Sequence, residues 1–165
     1  MSSTVFRGDV IRGEDWRTRE FRGQRVAVVA TADEASRIVP HIVRTASSVK
    51  VFQQSPAWML PAELPVGSGP IRRVAARLHL RRSIGDPWLR RQLTPSGDQR
   101  RHVAVRPGYY AALQQPNCKL YTWPVYAVVE NGVRSAEGVE HRVDVLIVGT
   151  DLEISPYSTR EERIA

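Results

Sequence analysis

The residues best placed to do chemistry lie in a short turn between an apolar run and a helical pattern. Ala30, Ala32 and Ala35 stand where dinucleotide-binding turns carry glycine or, at the third position, alanine, and Thr31 lies between the first two. In such turns the glycines allow a tight bend and let backbone amides approach a pyrophosphate at the helix N-terminus. Ala30 and Ala32 instead bring a Cβ to the place of closest approach. The spacing therefore points to a nucleotide site, and the residue types weaken it.

Two acidic residues follow this turn. Asp33 and Glu34 fall in the first turn of the predicted helix, where negative charge is favourable by about 0.3 to 1 kcal/mol. The same charge repels a phosphate. We therefore expect the protein's own carboxylates to fill the anion site of this helix.

The end of the next strand is where a dinucleotide site selects its cofactor. An acid there binds the ribose of NAD, and an arginine accommodates the 2′-phosphate of NADP. This chain has Gln53, Gln54 and Ser55 at that point, so neither charge is present.

Other reactive residues are dispersed. The single cysteine, Cys118, cannot form an intrachain disulfide, and no metal-ligand spacing accompanies it. We predict no metal site and a cytoplasmic location. The histidines have no partner nucleophile nearby in sequence; they are His41, His79, His102 and His141.

Positive charge is concentrated in one region of a chain with a net charge of +7. Only Lys50 and Lys119 are lysines, and ten arginines fall in the segment 72–106 against Asp86 and Asp98. Such a segment is typical of a binding module for an acidic partner or nucleic acid. GC-rich coding gives the same preference for arginine over lysine regardless of function and is the favoured explanation of that preference, and no recognisable nucleic-acid-binding motif accompanies the segment.

The elements that position these residues read as a single α/β domain in 165 residues. The run 26–30 predicts a buried parallel strand, the apolar spacing over 35–46 a helix containing Pro40, and 49–52 a second strand. We predict a loop over 55–70, then helices over 71–78 and from Pro87, and a helical turn at 109–114. The fold class is thus α/β, a Rossmann-like βαβ domain with an added helical segment and a small β-meander.

This pattern divides the chain into three parts. Residues 1–24 form an irregular arm with apolar anchors, 25–152 the Rossmann-like domain and 153–165 a polar tail. No apolar run approaches the roughly 20 residues of a membrane-spanning helix.

The arm carries a family resemblance. Phe6, Gly8 and Trp16 match three anchors of the fingerprint F-x-G-x-x-x-H-x-x-x-W-[PD] of class B flavin-dependent monooxygenases of the Baeyer-Villiger type, with Arg12 in place of the histidine and Arg17 in place of the last residue. The resemblance extends over most of the chain, from residue 6 to 152.

Four later segments agree with the same family. The segment 26–40 resembles V-A-V-V-G-T-G-x-S-A-x-x-V-P, and 51–58 resembles V-F-Q-R-S-P-x-W. The segment 93–110 is similar to L-x-P followed by a basic pair and two tyrosines, and 143–151 to a strand ending in A-T-G, where Asp151 replaces the glycine.

The resemblance implies an oxidoreductase fold that uses NADP(H) and FAD. It implies that Arg100 helps bind NADP, that Arg101 is the catalytic arginine beside the flavin peroxide, and that Gln54 replaces the arginine for the 2′-phosphate. The family's FAD-binding G-x-G-x-x-G segment does not precede Arg25, so we expect a truncated homologue, inactive alone, with weakened NADP(H) binding.

Such a chain has few predicted partners. We expect a flavoprotein that it completes or a second copy of itself, with nucleic acid as the alternative partner. We expect no insertion into a membrane.

Overall fold

The computed structural model describes residues 6–53, 55–64 and 69–149. Within them the chain forms ten strands, four α-helices and two 3-10 turns, at Asp15–Arg17 and Gly97–Arg101. The strands are β1 (Asp9–Arg12), β2 (Arg25–Val29), β3 (Ser48–Phe52), β4 (Trp58–Leu60), β5 (Val103–Val105), β6 (Cys118–Tyr121), β7 (Val125–Val129), β8 (Gly132–Ser135), β9 (Glu140–Arg142) and β10 (Val145–Val148). The helices are α1 (Ala32–Ile42), α2 (Gly69–Ser83), α3 (Pro87–Gln92) and α4 (Tyr109–Leu113).

A five-stranded parallel sheet organises the molecule, in the order β1-β10-β2-β3-β6. Its three central strands are almost entirely apolar, as expected of strands covered on both faces. One face, with Val26 and Val28, packs on α1, and the other, with Ala27 and Val29, packs beside the small antiparallel sheet β7-β8-β9. The predicted α/β class with a βαβ unit and a β-meander is confirmed.

Helix α1 begins and ends earlier in the chain than the apolar spacing over 35–46 predicts. It begins at Ala32 because Thr31 caps it, and it ends at Ile42. Pro40 lies within its last turn and, having no N–H, cannot donate the helical hydrogen bond to the carbonyl four residues earlier. The buried face consists of Ala35, Ile38, Val39 and Ile42, as the spacing predicts.

The prediction of an irregular arm was wrong for residues 9–12. They form the edge strand β1, which pairs in parallel with β10, Ile11 opposite Ile147. Pattern alone missed this strand because it is short and pairs with residues more than 130 positions away. The predicted anchoring is confirmed, since Trp16 and Phe21 are buried.

The predicted loop over 55–70 was wrong at its centre. Trp58, Met59 and Leu60 are buried and form β4, which pairs in parallel with β5. The prolines on either side of this segment favour a loop. Burial of three consecutive large apolar side chains, however, stabilises the protein more than leaving them exposed in a loop would.

Helices α2 and α3 confirm the two predicted helices. The Asp86 side chain accepts a hydrogen bond from the Trp88 amide at 2.9 Å, with Pro87 at the first helical position. On α2, however, the packed residues are Ala76 and Leu80, whereas Val74 is 70% exposed. The apolar spacing of α2 therefore does not mark its buried face. Among the described helices, none is long and apolar enough to cross a membrane.

Candidate functional site

The predicted nucleotide turn lies at the carboxyl edge of the parallel sheet. β2 ends at Val29, and Ala30 and Thr31 lead into α1. The Gly149 amide donates to the Val29 carbonyl at 2.9 Å, and the Ala30 amide to the Phe52 carbonyl at 3.4 Å. The ends of β10, β2 and β3 are thus held side by side, at the edge where α/β folds bind ligands.

Glu34 closes the N-terminus of α1. The Thr31 hydroxyl accepts from the Glu34 amide at 3.4 Å, and Glu34 Oε2 lies 3.4 Å from the Thr31 amide and 3.3 Å from its hydroxyl. This reciprocal arrangement is a capping box, which satisfies amides that the first helical turn leaves open. The same amides would have to turn toward a phosphate in a nucleotide site.

The Glu34 side chain is also packed against the end of β10. It is only 8% exposed, and a Cβ built on Gly149 would lie 3.0 Å from Glu34 Cδ and 3.3 Å from Ala30 Cα. Gly149 thus leaves room for a carboxylate of the protein. In a dinucleotide site, that room receives the ligand.

A second carboxylate stands at the same helix end. Asp33 forms an ion pair with Arg106 and lies 3.9 Å from Arg37 Nε. The sequence did not single out Arg106, since it is one of ten arginines in the basic segment. Arg106, the arginine of the basic segment that approaches α1, is therefore paired with Asp33.

The three alanines of the turn are packed. Ala30, Ala32 and Ala35 are at most 4% exposed. With Glu34 at the helix end and a Cβ at the first two positions, the residues do not fit a pyrophosphate in the arrangement shown. The expectation that a carboxylate of the chain fills this anion site is confirmed for Glu34.

The end of β3 holds a buried polar pair instead of a charge. Tyr109 donates a hydrogen bond to Gln53 Oε1, and both side chains are buried. Burial raises the pKa of Tyr109 well above its ordinary range. Gln54 lies outside the described residues, and Ser55 is exposed. The sequence shows Gln53 after a strand and two adjacent tyrosines, but not that they meet.

The fingerprint residues are distributed along β1 and the turn after it. Phe6 is partly buried, and a Cβ on Gly8 would collide with its ring and with the Asp144 carbonyl oxygen. Arg12 ends β1 opposite Val148, so it lies at the same carboxyl edge as Gly149. Trp16 is buried with its ring 5.4 Å from that of His41, in an edge-on contact. Arg12 is thus the fingerprint residue that the fold brings to the candidate site.

The basic pair lies on the 3-10 turn Gly97–Arg101. Arg100 and Arg101 are both exposed. Arg100 lines a cavity with Trp58 and Thr94. The arginines that pair with Asp33 at the α1 turn are Arg37 and Arg106. No described contact connects Arg101 to the α1 turn.

The remaining titratable side chains form no recognisable catalytic group. Within the described ranges, no three metal-ligating side chains cluster. Burial raises the pKa of the Cys118 thiol to about 12, so this thiol is protonated at neutral pH. His141 is buried with Nδ1 3.4 Å from Lys50 Nζ, and burial together with that cation lowers the His141 pKa.

A five-stranded parallel sheet, in which a capped helix connects β2 to β3, defines a Rossmann-like α/β protein. No family model matches its sequence. The chain is 27% identical to a Baeyer-Villiger monooxygenase of Pseudomonas aeruginosa, over 88% of this chain and 35% of that protein. It is 26% identical to a Baeyer-Villiger monooxygenase of Streptomyces coelicolor, over 95% of this chain and 38% of that protein.

Solved structures agree. An open form of cyclohexanone monooxygenase matches with a TM-score of 0.72 and 19% identity, over 88% of this chain and 43% of that one. A steroid monooxygenase bound to NADP matches with a TM-score of 0.73 and 17% identity, over 87% and 42%. The resemblance to Baeyer-Villiger-type flavin monooxygenases is confirmed, and the chain spans about a third of the length of the curated relatives it matches.

Proposed function

We propose that this chain corresponds to the NADP(H)-binding portion of a Baeyer-Villiger-type flavin monooxygenase whose dinucleotide turn is closed by Glu34. It binds NADP(H) weakly or not at all and does not oxygenate a ketone by itself. One observation carries the proposal: the buried Glu34 carboxylate lies at the N-terminus of α1 and against Gly149.

The physical argument is one of competition. A pyrophosphate at this helix end needs the amides of the first turn, and Thr31 and Glu34 engage theirs in the capping box. To enter, it must displace Glu34, which breaks the capping box and brings like charges together. A dinucleotide therefore binds this turn less favourably than it would bind a glycine-rich turn, because part of the binding free energy is used to displace Glu34.

In this chain the residues of the turn bind one another and not a phosphate. Thr31 and Glu34 satisfy the helix end, and Arg106 neutralises Asp33. In relatives that carry FAD and NADP, those cofactors supply the redox chemistry. No step of that chemistry is assigned to the residues of this turn.

NADPH titration of the full chain tests the proposal. We expect no shift in melting temperature with millimolar NADPH for the natural chain. We expect a shift when Ala30→Gly, Ala32→Gly, Glu34→Ala and Gln54→Arg are combined, because alanine removes both the charge and the side chain that occupies the helix end. Ligand at 100 times its dissociation constant stabilises a protein by about 2.7 kcal/mol.

A matched control removes the same charge elsewhere. When Glu20→Ala, at an exposed carboxylate, takes the place of the Glu34 substitution in that combination, we expect NADPH to remain without effect. Equal NADPH binding by the natural and combined variants would refute the closed turn. Ester formation from cyclohexanone by the natural chain with NADPH and FAD would refute inactivity.

A further inference from the structure

The only two lysines of the chain lie side by side on the parallel sheet. Lys50 is on β3 and Lys119 on the edge strand β6, and their Cα atoms are partners in the parallel register. Paired side chains leave the same face of a sheet, on strands about 4.8 Å apart. Among the described residues, neither lysine forms an ion pair. The two positive charges therefore repel each other without a carboxylate to neutralise them.

Three rings cover this face of the sheet beside the lysines. Phe52 follows Lys50 by two positions and Tyr121 follows Lys119 by two, so these rings share the face of the two amines. The Phe52 and Tyr121 rings stack with their centroids 5.1 Å apart. His141 of β9 lies edge-on to both, 5.3 Å from the Phe52 ring and 4.7 Å from the Tyr121 ring. Lys50 is half-buried under this cover, whereas Lys119 is exposed.

His141 also contacts the buried amine directly. Its Nδ1 lies 3.4 Å from Lys50 Nζ. The ring is 5% exposed, and burial lowers its pKa, so it is neutral at neutral pH. A neutral imidazole nitrogen that faces an ammonium group can accept a proton from it.

The surroundings of Lys50 favour its uncharged form. Burial lowers the pKa of Lys50, and the positive charges of Arg25 and Lys119 lower it further. Arg25 forms an ion pair with Asp144, so Lys119 is the neighbour whose charge is not neutralised. A lysine beside a second cation and partly out of water is the arrangement that activates amines as nucleophiles, because the neutral amine is the reactive form.

A groove reaches the lysine pair from the open edge of β6. Its volume is about 620 Å³, and its walls include Lys119, Tyr121 and Glu137. Glu137 is the acid nearest this cluster in effect, since its charge raises the pKa of His141. Lys50 lies one strand farther in. A small molecule in the groove therefore meets Lys119 first and has the half-buried amine beside it.

We propose that Lys50 is a nucleophile that forms an imine with the carbonyl group of a small oxo acid, whose carboxylate pairs with Lys119. The neutral Nζ attacks the carbonyl carbon and a C–N bond forms. The two protons that the nitrogen loses leave with the carbonyl oxygen as water, and His141 Nδ1 accepts and returns them. An oxo acid fits because its carbonyl and carboxylate are adjacent, as the two lysines are. The site does not depend on the proposed function, because it uses no residue of the α1 turn.

Reductive trapping with glyoxylate and cyanoborohydride tests this site in the full chain at pH 7.5. Cyanoborohydride reduces the imine to carboxymethyl-lysine, and peptide mass spectrometry gives the rate at each lysine separately. In the folded protein we expect Lys50 to react about tenfold faster than Lys119, which corresponds to a difference of about one unit in pKa. In urea the two rates should become equal. Equal rates in the folded protein, or a faster Lys119, would overturn the proposal.

Two variants test the part of the neighbouring cation. Lys119→Gln should slow trapping at Lys50 severalfold, because it removes both the charge and the partner of the carboxylate. The matched control is Arg142→Gln, which removes a positive charge from an exposed position of β9 next to His141. It should change the rate less than about twofold, since side chains alternate along a strand and Arg142 points away from the lysines. Urea unfolding of each variant shows that it is folded. An unchanged rate in Lys119→Gln would refute the lysine pair as the cause.

Acetaldehyde, which has no carboxylate, tests the class of ligand. Each rate at Lys50 is divided by the rate of the same reagent with the urea-unfolded chain, which removes the intrinsic difference between the two aldehydes. We expect the ratio to be several times larger for glyoxylate than for acetaldehyde. Equal ratios would mean that the carboxylate is not recognised and would overturn the assignment to an oxo acid.

Discussion

Glu34 and Gly149 lie against each other at the carboxyl edge of the sheet, so closely that a Cβ on Gly149 would stand 3.0 Å from Glu34 Cδ. Gly149 follows β10, and Glu34 is in the first turn of α1. The pair thus connects the cap of α1 to the end of β10. Their contact occupies the space that a dinucleotide-binding fold keeps for its ligand.

Gly149→Ala should therefore destabilise the protein. The added methyl group meets both Glu34 and Ala30, and overpacking of this kind typically costs about 1 to 3 kcal/mol. Urea denaturation measures the loss. A double-mutant cycle with Glu34→Ala should show coupling, because removal of the carboxylate relieves the closer contact. Strictly additive losses would mean that the two side chains do not press on each other.

Thr31→Ala should weaken α1 by about 1 kcal/mol, within a range of about 0.5 to 2. The hydroxyl that accepts from the Glu34 amide is lost, and with it half of the capping box. Thermal or urea unfolding gives the difference. Thr45→Ala is the control, because Thr45 is exposed beyond the end of α1 and should change stability by less than about 0.5 kcal/mol. Equal effects at both positions would contradict a role for the cap.

Tyr109→Phe should destabilise the domain by about 1 to 3 kcal/mol, since it leaves the buried Gln53 oxygen without its hydroxyl donor. Adding Gln53→Met should recover part of the loss, because both partners are then apolar. Tyr126→Phe, at a side chain that is 69% exposed, serves as the control for loss of a hydroxyl. A Tyr109→Phe protein as stable as the natural chain would mean that the hydrogen bond contributes nothing.

Stability should fall as the pH drops below about 6.5 because of His141. Burial lowers the pKa of this histidine in the folded protein, the positive charges of Lys50 and Lys119 lower it further, and Glu137 opposes them. Below the ordinary value of 6.5 the unfolded chain therefore binds a proton that the folded chain does not. One such proton gives a slope of at most about 1.4 kcal/mol per pH unit.

Urea unfolding between pH 5 and 7.5 measures that slope. His141→Gln should flatten it, whereas His102→Gln, at an exposed residue, should not. His79, whose pKa burial also lowers, accounts for what slope remains. The same slope in the natural and His141→Gln proteins would exclude His141 as the titrating group.

Local pattern was sufficient for the elements that carry their own signal. The continuous run Val26–Ala30 predicted a strand, the spacing of Ala35, Ile38 and Ile42 predicted a helix, and Asp86 before Pro87 predicted a capped start. Strand β4 and edge strand β1 were missed, because each is short and is stabilised by pairing with a distant segment. A local sequence pattern carries no information about such long-range pairing.

The candidate site divides in the same way. Residue types alone placed two carboxylates at the start of α1 and predicted that the anion site is filled by the chain itself. The sequence could not say that Glu34 takes that place while Asp33 pairs with Arg106, because Arg106 lies 73 residues away. Nor could it show that Gln53 and Tyr109 meet in the core.

By itself, the sequence determined the α/β class, the family resemblance and the replacement of glycine by Ala30 and Ala32, because these depend on residue identity and short-range spacing. The tertiary structure decided which carboxylate closes the turn, why Gly149 has no room for a side chain, and which arginine of the basic segment pairs with Asp33. Those outcomes depend on contacts between segments far apart in the chain, and such contacts exist only once the sheet has brought the strand ends together.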